Sequence, residues 1–353
     1  MSDYVSELRR DLVEAAARQQ QLGSAARLTR PLRPRAWSPA TALGVAAALV
    51  AVVVLVAGLR AVSPPRPPAT LKLEATYTIG GQPRDAVAAA GALVIADLGG
   101  SVVRVSPADP RERNQLAAAG APQSIAADGD SVWVVSNEAP RSFLEQLDAR
   151  TGQRLARVAI DGYASYVAVG AGGVWVADLH EGGLTRFDPR TSKPTTSVPT
   201  APPDGIAAND RWVWVRAGAT LTQRDADGRV LSRVGGLSPA FGDESQKTVL
   251  ADAEGVWVVG SSDGLLYRIE RGRVTKQITV GGTAGTIAGR GSTLWVTTSP
   301  GVDRYELVRV DADEGKVTGR VAIGRFAPQA IVPIGDDVWV VTGAGTLMRV
   351  ATG

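Results

Sequence analysis

The chain of 353 residues contains no cysteine and a single histidine, His180. The first absence excludes disulfides, thiolate metal sites and a cysteine nucleophile; the second excludes any acid/base pair built from two histidines. Lysine is scarce: 5 of the 38 basic residues are Lys and the rest are Arg. With the abundance of Ala, Val and Gly, that bias suggests a GC-rich bacterial genome. Aromatic residues make up only 5%. Charge is missing altogether from residues 38 to 59. At about 1.5 Å per residue this run spans roughly 33 Å as a helix, enough for a hydrocarbon core of about 30 Å. It is longer and begins later than the apolar stretch of a cleaved signal peptide, so an uncleaved signal anchor is expected.

Basic residues set the orientation of that expected span. Seven arginines, from Arg9 to Arg35, precede it, against Arg60, Arg66 and Lys72 just beyond, which places the N-terminus inside and the rest of the chain outside the cell. Asp3, Glu7, Asp11 and Glu14 leave residues 1–37 at a formal +3, equal to the whole chain's net charge. The remainder is near neutral, which speaks against a nucleic-acid surface. The expected organisation is a short cytoplasmic segment over 1–37, a transmembrane helix over 38–59, a Pro-rich linker over 60–70 and one large domain over 71–353. In the linker, Pro64-Pro65-Arg66-Pro67-Pro68 favours an extended, semi-rigid spacer.

The large domain is organised by a repeat. Trp133, Trp175, Trp214, Trp257, Trp295 and Trp339 recur in short apolar strands, with Val94 in the equivalent place ahead of them, at steps of 39, 42, 39, 43, 38 and 44 residues. A period near 40 with strand patterning is that of propeller blades. In the third copy, Tyr166–Val169, Val174–Ala177, Leu184–Phe187 and Thr195–Val198 read as four strands separated by Gly, Asp and Pro turns. The repeat tryptophans are expected in the core, between neighbouring blades. The seventh copy ends one strand short, and residues 72 to 79 are expected to supply that strand and close the ring. The fold class is therefore all-β, a seven-bladed propeller closed by its N-terminal strand and preceded by one transmembrane helix.

Val174-Trp175-Val176-Ala177-Asp178, followed by Arg186-Phe187-Asp188-Pro189-Arg190-Thr191, resembles the YVTN-type and streptogramin lyase (virginiamycin B lyase-like) propeller repeats. Ser131-Val132-Trp133-Val134 with Leu147-Asp148-Ala149-Arg150-Thr151-Gly152 repeats the likeness, which covers about residues 72 to 353. The resemblance implies the propeller fold and, for active members, a lyase with a histidine base and bound magnesium. Here the second histidine of that acid/base pair is missing.

Candidate sites fall on the face that carries the b-c loops and the crossings from strand d to the next strand a. Arg84, Gln123, Ser165, Asp204, Lys247, Gly285 and Gln329 are expected to ring the mouth of the central channel, either as a seat for a small polar ligand or peptide end, or as ordinary wet surface. Asp178, His180 and Glu181 form the one local cluster with acid/base potential, His180 and Glu181 being the catalytic alternatives; their other reading is a solvated loop. Tyr163, Tyr166, Tyr305, Phe241 and Phe326 lie in or beside the same loops and suit a protein or glycan partner. Asp311-Ala312-Asp313-Glu314-Gly315 lacks the remaining ligands of a calcium loop and reads as a turn between strands c and d. No cofactor or metal is expected. The leading expectation is a binding or scaffold module for a protein, peptide or glycan, and the alternative is a lyase or hydrolase.

Overall fold

The structure, a computed structural model, describes residues 70–116, 120–240 and 247–352. The segments expected to be cytoplasmic (1–37) and membrane-spanning (38–59), with nearly all of the linker, lie outside the described residues. Among the described residues no helix is long and apolar enough to cross a membrane.

The described residues form seven four-stranded antiparallel sheets. Six are consecutive in sequence: blade 1 over 83–116, blade 2 over 121–160, blade 3 over 164–198, blade 4 over 205–234, blade 5 over 249–279 and blade 6 over 283–324. The seventh takes strands a to c from Pro328–Ile334, Asp337–Thr342 and Thr346–Ala351, and its outermost strand from Lys72–Thr78. That N-terminal strand pairs with Thr346–Ala351 from Lys72 opposite Ala351 to Thr78 opposite Thr346. Ile79 N and Gly80 N then donate to the carbonyl of Gly345 at 2.8 and 3.1 Å, extending the seam past the strand's end. The expected closure is therefore present.

Each repeat tryptophan belongs to a core shared with the following blade. Trp133 packs with Val174 and Val176 of blade 3, Trp175 with Val213 and Val215 of blade 4, and Trp214 with Val256 and Val258 of blade 5. Trp257, Trp295 and Trp339 continue the pattern into blades 6, 7 and 1, and Val94 takes the same place between blades 1 and 2. Strand b is central in its sheet and apolar on both faces, so one large residue per repeat fills the wedge that opens between blades.

The turns between strands c and d use a local carboxylate. Asp148 and Asp188 each accept amide hydrogens from the residues two and three positions on, at 2.7 to 2.9 Å. Those bonds favour the ionised form. Led by the Thr151 amide at Asp148 and the Thr191 amide at Asp188, they hold both carboxyls below the ordinary value of 3.8. Asp311 accepts from Glu314 N at 2.8 Å in the same way, as the turn reading expects.

Candidate functional site

The seven channel-mouth positions are brought together because the innermost strands of neighbouring blades contact one another all round the ring, blade 7 closing on blade 1. In blades 1, 2, 3 and 7 the pairing of strands a and b skips one residue, and the residues skipped are Arg84, Gln123, Ser165 and Gln329. In blade 6 the skip covers Gly285 and Thr286. These positions are β-bulges, which lift the residue out of the ladder and re-aim its side chain. Asp204 and Lys247 stand just before strand a of blades 4 and 5. Gln123, Ser165 and Gln329 are buried, and Arg84, Asp204, Lys247 and Gly285 are half-buried.

An ion pair braces this ring from one blade to another. Lys247 Nζ lies 2.9 Å from Asp85 Oδ1 and donates to the carbonyl of Ile125 at 3.2 Å, so blade 5 is tied to blades 1 and 2. Asp85 is 1% exposed. Its Oδ2 accepts from Ser124 Oγ at 3.1 Å and Ile125 N at 3.0 Å, while Oδ1 accepts from Ala86 N at 2.7 Å. Ser124 Oγ in turn accepts from Val167 N of blade 3 at 3.3 Å, and the Lys247 carbonyl accepts from Ile287 N of blade 6 at 2.8 Å. One lysine and one aspartate thus anchor a network reaching five blades. Sequence reasoning placed Lys247 in the ring but missed Asp85 and Ser124. Each stands one residue further into its strand, and nothing local marks a partner supplied by a distant blade.

Asp204 forms a second ion pair, with a buried partner. Its partner Arg216 is fully buried at a strand-b position where other blades hold Ala96, Val135, Ala177, Val259, Thr297 and Val341. Arg216 Nη1 donates to the carbonyl of Val259 at 2.7 Å and Nη2 to that of Ser238 at 2.6 Å, and Nε is 3.6 Å from Asp204 Oδ1. Burial dominates both groups, raising the Asp204 carboxyl and lowering the Arg216 guanidinium despite their mutual attraction. Asp204 Oδ2 accepts from Gly218 N at 2.8 Å. Its Oδ1, apart from the ion pair with Arg216, and likewise Ser165 Oγ and Thr248 Oγ1, have no hydrogen-bond partner among the described residues.

In the Asp178, His180, Glu181 cluster the Asp178 carboxylate bonds to the backbone of its own loop. Asp178 Oδ1 accepts the His180 and Glu181 amides at 2.8 and 2.9 Å, and Oδ2 accepts Tyr163 N at 2.9 Å. The carboxylate shapes the loop. Asp97 does the same in blade 1, accepting Gln82 N at 2.9 Å and Gly99 N at 2.7 Å. The His180 ring packs edge-on against Tyr163, with centroids 4.5 Å apart. Tyr305 packs on the core between blades 6 and 7, and Tyr166 is buried between blades 3 and 4. Tyr163 and Phe326 are exposed, whereas Phe241 lies outside the described residues.

Two open cavities lie on the other face, among the a-b and c-d turns. One, of about 610 Å³ between blades 5 and 6, is lined by Trp257, Arg268, Lys276 and Asp313 among others. Its neighbour, of about 590 Å³ between blades 4 and 5, is lined by Trp212, Gln223, Leu231 and Arg271. The two share Ala253, Glu254 and Glu270. Sequence reasoning had no signal for them, since they are clefts between turns that look ordinary one at a time. Among the described residues no three His, Asp or Glu side chains converge as a metal site would require.

Fold and site define a seven-bladed β-propeller. No protein-family model matches the chain, and no curated protein matches it in sequence. Among solved structures it is similar to the crystal structure of BamB from Moraxella catarrhalis, with 15% identity, 80% of this chain and 99% of that one covered, and a TM-score of 0.54. At that identity the likeness shows the fold alone. Since 1299 solved chains match, the architecture by itself selects no activity.

Proposed function

We propose that this chain is a membrane-anchored, extracytoplasmic binding or scaffold module, held by residues 38–59 and engaging a protein or peptide partner on the face of the b-c loops and d-a crossings. The observation that carries the reading is the channel mouth, where the polar side chains of Gln123, Ser165, Asp204, Lys247 and Gln329 gather at the starts of the innermost strands of neighbouring blades. Beside them the Lys247–Asp85 pair fixes the ring. Such a ring of donors and acceptors suits the chain end or a polar side chain of a partner. The finer likeness to streptogramin lyases would assign His180 as a base. Against that role, the nearby Asp178 carboxylate is occupied by three backbone amides and the imidazole packs on Tyr163.

A photo-crosslinking amino acid placed at residue 302 or 326, on the proposed face, is expected to trap a discrete partner in intact cells. The same probe at residue 150 or 190, on the opposite face, is expected to trap none. Equal capture from both faces, or none from the first, overturns the reading.

A further inference from the structure

The two cavities on the opposite face form a site that the proposed partner face does not use. They lie on either side of the turn at Ala253 and Glu254, and both enclose volumes within the roughly 300–1,000 Å³ typical of small-ligand sites. One wall is a tryptophan that the repeat does not call for. Two residues before the repeat position, the other blades carry Ala92, Ser131, Gly173, Gly255, Thr293 and Asp337, but blade 4 carries Trp212. Its indole is half-buried, braced edge-on by Trp214 at 5.8 Å, with the Arg211 guanidinium 5.9 Å from the ring centre. Beside it Leu231 is 52% exposed. A rigid, half-exposed aromatic in an open cavity is a platform in search of a flat apolar surface.

The polar residues around the platform narrow the ligand. Glu254, Glu270, Gln223, Ser232, Arg211 and Arg271 line the same cavity. They supply donors and acceptors of both kinds, many on planar side chains that reach two neighbouring oxygens at once. Charge is mixed, two carboxylates against two guanidiniums, so a strongly charged ligand is not favoured. In the adjoining cavity Arg268 is fixed by Asp252, by Glu270 at 2.7 Å and over the Trp257 ring at 5.3 Å. Burial opposes its charge, but these carboxylates outweigh burial and hold the guanidinium above its ordinary value. It stands as a preformed wall.

We infer that the paired cavities across blades 4 to 6 bind an oligosaccharide, one sugar ring lying on Trp212 with its hydroxyls bonded by Glu254, Gln223 and Arg271, and the chain continuing past the Glu254 turn. A pyranose offers the matching chemistry: an apolar face of C–H groups, rimmed by hydroxyls that donate and accept.

The test is binding of the purified full-length protein in detergent to a printed array of neutral and acidic oligosaccharides, with hits quantified by calorimetry. Trp212→Ala is expected to weaken a hit about tenfold or more, and Trp212→Phe, which keeps a ring, to retain most of the affinity. Glu254→Gln is expected to weaken it severalfold with an unchanged melting temperature. Leu155→Ala, on the outer strand of blade 2 and lining neither cavity, serves as control. Absence of any array hit, a hit insensitive to Trp212→Ala, or salt-sensitive binding of a basic tetrapeptide in preference to every sugar overturns the assignment.

Discussion

Replacing Lys247 by methionine tests whether the channel brace stabilises the ring. Methionine keeps most of the stem's volume and removes the ammonium, leaving Asp85 buried and without its counter-charge. Removing one partner of a buried ion pair costs roughly 3–5 kcal/mol. Two observations lower that figure: the Lys247 side chain is 35% exposed, and the carboxylate keeps bonds from Ser124 Oγ and the Ile125 and Ala86 amides. A loss of about 2–3 kcal/mol follows, equivalent to a melting shift of about 5 °C for a domain of this size. Urea unfolding followed by tryptophan fluorescence should show the midpoint falling at unchanged slope. Asp85→Asn in the Lys247→Met background removes the orphaned charge while keeping an acceptor for Ser124 and Ile125, and should recover most of the loss. If Lys247→Met moves stability by less than about 0.5 kcal/mol, or the second substitution gives no recovery, the pair is no brace.

Other outcomes follow from the same physical terms. Deleting residues 346–353 takes away the partner of both neighbouring strands in blade 7 and should abolish the cooperative thermal transition; a truncated protein melting like the parent would contradict closure. Gly91 and Gly345 have φ of 71° and 72°, but an added Cβ meets nothing within 4 Å at Gly91 and would lie 2.6 Å from the Gly80 carbonyl at Gly345. Gly91→Ala should therefore cost about 1 kcal/mol, and Gly345→Ala about 1–3 kcal/mol more, in parallel chemical denaturations. Asp148 and Asp188 have carboxyls lowered in the folded state, so their contribution is present above the unfolded value of 3.8 and is lost as pH falls through the folded values. Melting temperature followed from about pH 6 to about pH 2 should fall less steeply in Asp148→Asn/Asp188→Asn than in the parent.

Architecture was legible because it repeats. A tryptophan every forty residues or so marks the wedge between blades, and an incomplete seventh copy together with a stray strand over residues 72 to 79 announced the closure. The site was less legible, for two physical reasons. Gln123 and Ser165 fall at bulges between strands a and b, but what those residues face depends on other blades, and Asp85 meets Lys247 only once the circle is complete. Asp178 reads in sequence as an acid/base neighbour of His180, whereas its part in bonding the loop's amides, which both its oxygens accept, depends on how the chain reverses there. Trp212 escaped notice because it sits two residues from Trp214, in the shadow of the repeat.

The seam in blade 7 has a mechanical meaning. Any tension on the chain ahead of Lys72 is delivered to the one strand that fastens the circle, where six paired positions hold it to Thr346–Ala351. A pull along the strand axis loads those pairs together in shear, whereas a sideways pull peels them singly. Once they part, the first and last blades lose their common clasp, so the force at which this protein yields is set at its hem.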